Sequence, residues 1–107
     1  MADEAVSLLR RARARIEDPA HWTQGRYARS AKGHEVKPDS ESATSWCAIG
    51  ALRAEVLEKS AYWAAFGELV RYIKEPTSLF NDTHTHVEVL AVFDAAIESL
   101  RVREETR

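Results

Sequence analysis

The chain has 107 residues, 45% of them hydrophobic and 30% charged, with a net charge of −2, the make-up of one soluble globular domain with room for a single modest core. No apolar run approaches the roughly 20 residues of a membrane helix, the acidic start Met1-Ala2-Asp3-Glu4 is unlike a secretory signal, and the charge balance argues against general nucleic-acid affinity. A single cysteine cannot close an internal disulfide, which points to a reducing, cytoplasmic setting.

Helical spacing of Ala5, Leu8, Leu9, Ala12 and Ile16 predicts a first helix over residues 3–17. Asp3 and Glu4 lie where its dipole favours negative charge, and Asp18-Pro19 ends it. Residues 1–53 carry nine Lys/Arg against seven Asp/Glu, and residues 54–107 six against ten. The local excess is Arg10, Arg11, Arg13 and Arg15, which reads as a solvated face or as a docking strip for an anionic partner.

Residues 21–39 break the helical pattern with Gly25, Gly33 and Pro38. Arg26–Arg29 and His34–Val36 flank Ser30-Ala31-Lys32-Gly33 and suggest a short β-hairpin lying on the helices. A second helix is expected over residues 40–59, capped by Asp39 or Ser40. On it Ala43, Cys47, Gly50, Ala51 and Ala54 form a face of small residues, with Ile49, Leu52 and Val56 nearly opposite. Apolar residues around most of its circumference place this helix at the centre of the molecule.

A third helix is predicted over 60–74 from Tyr62, Phe66, Leu69, Val70 and Ile73, with Trp63 on the edge of the stripe, Glu68 facing water and Pro76 as the stop. Asn81-Asp82 reads as a turn. The fourth helix, residues 86–103, starts at a capping box of Thr85 and Glu88 and buries Val89, Leu90, Phe93, Ala96, Ile97 and Leu100. The architecture expected is mainly α: a compact four-helix domain over residues 1–107, with a hairpin or irregular insertion between the first two helices and fraying over 102–107.

Two clusters carry the candidate chemistry. Cys47 as a nucleophile would need a lowered pKa, and two turns into a helix the terminal dipole offers little help, so buried packing is the plainer role. With His86 as base and Asp82 as orienting carboxylate it would make a cysteine-dependent enzyme. Asp82, His84 and His86 are metal ligands by type, although three bunched within five residues need a fourth from His21 or His34 to close a site. Trp46, Asn81, Asp82 and His84 are the candidates for ligand contact, while His86 also fits a satisfied structural role at the edge of the core. No residue pattern calls for a cofactor, and no phosphate loop, paired CxxC or serine elbow is present.

Trp22-Thr23-Gln24-Gly25, then Trp46-Cys47 with Gly50-Ala51-Leu52, then Phe80-Asn81-Asp82 and Glu88-Val89-Leu90 follow one another along the chain. This order resembles an uncharacterised family of small bacterial and phage proteins with the pattern W-x-x-G, W-C-x-x-G-A-L and N-D. The resemblance spans about residues 22–97, implies no activity, and implies that the clusters belong to one unit. The residues favour a small cytoplasmic binding or protein-interaction module without catalysis, its partner a protein or small molecule, or a second copy in a homodimer. The cysteine enzyme and a metal or small-ligand pocket at Asp82, His84 and His86 are the alternatives.

Overall fold

In the computed structural model, which describes residues 2–105, the first predicted stripe forms as read. The helix α1 spans Ala2–Arg15, and Ala5, Leu8, Leu9, Ala12 and the following Ile16 are all buried. It packs on α2 (Ala48–Glu55), α3 (Lys59–Val70) and α5 (His86–Glu105), so α1, rather than the second helix, is the hub of the core. Acidic residues in its first turn and arginines in its last run with its dipole. Asp18 then accepts from the Ala20 N–H at 2.9 Å and caps a single 3-10 turn, Pro19–His21.

The expected helix over 40–59 is instead a turn, a strand and a shorter helix. Ser40 Oγ accepts from the Ser42 N–H at 3.1 Å, the local bond by which serine draws backbone away from helix. Ala43–Trp46 forms the strand β2. It pairs antiparallel with β1 (Ala28–Ser30), with Ala28 opposite Trp46 and an irregularity between Arg29 and Ser30. The predicted hairpin closes in short form: the Gly33 N–H reaches the Ser30 carbonyl (2.8 Å) in its turn, and the Ser30 N–H bonds the His34 carbonyl (2.8 Å) and the Val36 N–H the Ala28 carbonyl (3.1 Å) on either side of an antiparallel bridge between Arg29 and Glu35. The main partner of the first strand is the segment that helical periodicity had claimed.

Helix α2 begins at Ala48, and Cys47 is its N-cap, with Sγ accepting from the Gly50 N–H at 3.3 Å. Residues Ala48 to Leu52 are buried. The face of small residues meets backbone: a Cβ on Gly50 would lie 1.9 Å from the Tyr27 carbonyl oxygen. That same carbonyl accepts from the Cys47 N–H at 3.1 Å. Glycine is required because the loop before β1 rests directly on the helix.

Helix α3 ends at Val70, short of the predicted Lys74, and is turned about its axis relative to the expected stripe. Ala61, Ala65, Leu69 and also Glu68 face inward, while Tyr62 and Phe66 are only half buried. Pro76, expected to stop α3, lies beyond its end and is instead the N-cap of the next helix, α4 (Thr77–Thr83), which takes Asn81 and Asp82 out of the predicted turn and makes a fifth α-helix among the described residues. At the start of α5 the capping box is complete: the Thr85 N–H donates to Glu88 Oε1 (2.8 Å) and the Glu88 N–H to Thr85 Oγ1 (3.2 Å). The helix continues through Glu105, and residues 106 and 107 of the tail expected to fray lie outside the described residues. The result is a mainly helical molecule with one two-stranded sheet and a Cα radius of gyration of 13.2 Å, the size of a compact chain of this length. Among the described residues no helix is long and apolar enough to cross a membrane.

Candidate functional site

The three motif segments, far apart in the chain, meet around one buried side chain. Asn81 is 1% exposed. Its Oδ1 accepts from the Trp22 indole N–H (2.8 Å) and from the Ala48 N–H at the start of α2 (3.0 Å). Its Nδ2 donates to the Thr23 carbonyl at 3.0 Å. A primary amide is the one neutral side chain with a two-fold acceptor and a two-fold donor side by side, so asparagine can tie three segments at once. Around it the Thr23 N–H reaches the Trp46 carbonyl (3.0 Å), and Gln24 Nε2 donates to the carbonyls of Asn81 (3.0 Å) and His84 (3.2 Å).

Asp82 extends the junction outward. Its Oδ1 accepts from the Gly25 N–H at 2.8 Å, and Gly25 holds φ at +84°, where an L side chain would be strained. The segment that follows, Arg26 and Tyr27, forms one wall of an open cleft of about 500 Å³. Gly25, Glu35, Cys47, Ser78 and Asp82 complete the lining. Ser78 and Asp82 are one turn apart on α4 and project the same way, while Asn81 turns inward. Arg26 and Glu35 pair at 3.2 Å across the rim. The Ser78 hydroxyl and Asp82 Oδ2 make no hydrogen bond to the described residues.

Cys47 reaches this cleft with little of its surface, being 4% exposed. Burial pushes its thiol above the usual value of 9.0, and the negative charge of Asp82 adds to the rise, against the lowering by the N–H groups of Gly50 and Ile49. Its position at a helix N-terminus, which helical periodicity had hidden, therefore does not produce a thiolate at neutral pH.

His86 is placed elsewhere. Its Nε2 lies 2.6 Å from the Ile16 carbonyl, an acceptor only, so this nitrogen carries the proton. Its ring packs on Trp22 with centroids 5.5 Å apart. Cys47 and Asp82 come together at the cleft, and no hydrogen bond among the described residues joins either of them to His86. His84 stacks on Phe80 at 4.0 Å and directs Nδ1 to the Phe80 carbonyl (3.0 Å). Asp82, His84 and His86 thus point to three different places, and among the described residues no three His, Cys, Asp or Glu side chains gather as a metal site.

Trp46 belongs to another surface. Its indole donates to the Pro38 carbonyl (2.9 Å), and the Arg15 guanidinium lies 4.5 Å from its ring centroid. The basic strip of α1 is divided: Arg11 and Arg15 both pair with Glu55, whereas Arg13 pairs with Asp94 at 2.6 Å. Sequence reading passed over Gly25 as a site residue, although its place in W-x-x-G was a signal. It had none for Arg26, Tyr27, Glu35 and Ser78, which only the fold brings to Asp82.

The chain belongs to a family of unknown function, DUF6197, whose model matches residues 1–99. The match takes in all three motif segments and the whole lining of the cleft. No curated protein and no solved structure matches the chain.

Proposed function

We propose that this protein is a small binding module, without catalysis of its own, that takes a small cationic or hydrogen-bond-donating molecule in the cleft beside Asp82. One observation carries the reading. The junction spends its buried polar groups on itself, yet leaves the Ser78 hydroxyl and Asp82 Oδ2 without a hydrogen bond among the described residues, on two side chains that line an open volume of about 500 Å³. That volume falls in the range of small-ligand sites, roughly 300–1,000 Å³. The nearest cation on the lining, Arg26, is already matched by Glu35, so Asp82 gives the cleft a net negative character. Asp82 is anchored through Oδ1, which fixes the direction of Oδ2 in advance of binding.

The cysteine-dependent alternative has its nucleophile in the cleft and lacks its base there, since His86 is held by the Ile16 carbonyl. A lone buried thiol also suits a reducing cytoplasm.

The test is an amide-resolved NMR titration with three probes of one chain length: n-butylammonium, n-butylguanidinium and n-butyramide. A cationic probe should move the amides of Gly25, Tyr27, Ser78 and Asp82, and Asp82→Asn, which keeps the oxygen that holds Gly25, should abolish the effect. Shifts that scatter over the surface, or that survive Asp82→Asn, would overturn the reading.

A further inference from the structure

Gly25 ties down two opposite charges at once. Its N–H donates to Asp82 Oδ1 at 2.8 Å, and its carbonyl accepts from Arg26 Nη1 at 2.7 Å. The guanidinium is held a second time by Glu35, 3.2 Å from Nε. Each charge keeps an atom in reserve: Asp82 Oδ2 and Arg26 Nη2 make no hydrogen bond to the described residues, and no ion pair joins Asp82 to Arg26. Both side chains line the same open cleft.

The residue between them sets their spacing. The nitrogen and the carbonyl oxygen of one residue are no more than about 3.6 Å apart, so Oδ1 and Nη1 lie within about 9 Å of each other. Gly25 is here the main chain of an amino acid bridging a carboxylate and a guanidinium. A free α-amino acid carries the same donor and the same acceptor at the same separation, both of them charged. Its ammonium can donate to Asp82 Oδ2 and to the Ser78 hydroxyl, and its carboxylate can accept from Arg26 Nη2. These bonds repeat, through the reserve atoms, the bridge that Gly25 makes through the anchored ones.

Charge selects the same occupant. A plain carboxylate meets Asp82 and Glu35 as like charges, and a plain amine leaves Arg26 Nη2 unused. We propose that the cleft takes a free α-amino acid in its zwitterionic form, with Arg26 as the residue that selects for a carboxylate beside the ammonium. This rests on the reading of Asp82 as the cation site and adds the other half of the ligand. Arginine suits the role because a planar guanidinium fixed through Nε and Nη1 still presents Nη2 in a set direction, which a lysine ammonium cannot do. Anchoring both charges before binding lowers the cost of ordering them. A volume of about 500 Å³, with Tyr27 on its wall, leaves room for the side chain of the ligand.

Amide-resolved NMR titration of the full chain with each of the standard α-amino acids, up to about 10 mM to reach millimolar affinities, tests this. At least one should move the amides of Gly25, Arg26, Ser78 and Asp82. Its amide derivative keeps the ammonium and loses the carboxylate, and should bind at least about tenfold more weakly, a difference of roughly 1.4 kcal/mol. Its N-acetyl derivative loses the ammonium and should not bind. Arg26→Gln should erase or reverse the preference for the amino acid over its amide, with the rest of the spectrum unmoved. Amino acids that leave those amides still while n-butylammonium moves them overturn the proposal and leave the cation reading standing; if n-butylammonium moves nothing either, both fall. An amide that binds as tightly as its amino acid overturns the proposal too, as does a preference that survives Arg26→Gln.

Discussion

At the motif junction, Asn81 is buried with three segments bonded to its amide. One element away, Glu68 Oε2 and Thr77 Oγ1 are also buried and have no hydrogen-bond partner among the described residues. Glu68 spends only Oε1, on Arg103 and Arg71. The contrast separates two uses of interior polarity. A fully satisfied group specifies a single arrangement of the chain, because every competing arrangement strands donors and acceptors away from water. A half-satisfied group costs stability and specifies little.

The largest expected effects fall at the junction. Gly50→Ala drives a methyl to 1.9 Å from a backbone carbonyl, and that neighbour cannot swing aside as a side chain would. The loop carrying Tyr27 must lift off α2, breaking the Cys47 N–H bond to Tyr27; a loss of about 3 kcal/mol or more is expected. Asn81→Ala strands the Trp22 indole, the Ala48 N–H and the Thr23 carbonyl. At about 1–3 kcal/mol for a buried group left unpaired, partly relieved by entering water, the expected cost is about 3 kcal/mol. Urea melts read both. If either variant loses less than about 0.5 kcal/mol, the scale of an ordinary surface change, the junction is not the specifying element.

Thr77→Val should move the other way. It trades an orphaned hydroxyl for a methyl of nearly the same shape, among Ala48, Leu69, Phe80 and Phe93. An increase of about 1 kcal/mol is expected, the lower end of what burying an unpaired hydroxyl costs. A loss of similar size would show that the hydroxyl has a partner after all, and would break the comparison at its second half.

How legible these regions were in the sequence follows the same division. The α1 stripe and the Thr85–Glu88 box were readable because each is a local pattern whose physical cause lies within a few residues. Helix α2 was misread at its start because Ala43, Cys47 and Gly50 fit a helical period by size, although Ser40, Ser42, Thr44 and Ser45 favour turns and strands. The inward turn of Glu68 has no local cause: close packing of α3 through Ala61 and Ala65 sets it, and Arg103 compensates from α5. The junction was half legible. Its members stood out as motif residues, but the identity of the partner that Asn81 would bind, some 33 to 59 positions away, is a property of the tertiary fold alone.

Cys47 sharpens the junction in a different way. Burial holds its proton on, so alkylation by iodoacetamide at pH 7 should be at least about tenfold slower in the folded protein than in urea, where the thiol is exposed and nearer its free value. The linkage runs with that shift. A folded value raised above 9.0 means that the contribution of the thiol to stability is whole below the unfolded value and falls away as pH rises through and beyond it. Rapid labelling of the folded chain at neutral pH would instead return the cysteine chemistry to consideration.

The smallest effect belongs to Glu88, on the exposed rim of the junction where the His84 carbonyl takes up Gln24. The Thr85 backbone N–H holds the Glu88 carboxyl below the ordinary glutamate value of 4.5, helped by the Thr85 side chain. A carboxyl with a depressed folded value stabilises the fold above its unfolded value and loses that contribution as pH falls through the folded one. Glu88→Gln keeps an acceptor in the capping box and removes the charge. The difference in melting temperature between wild type and Glu88→Gln should therefore be steady at neutral pH and close as pH drops below about 4.5. Because the group is satisfied yet open to water, the gap should be far smaller than that of Asn81→Ala. A gap of comparable size would mean that satisfaction alone, and not satisfaction in the absence of water, is what makes the junction specify the fold.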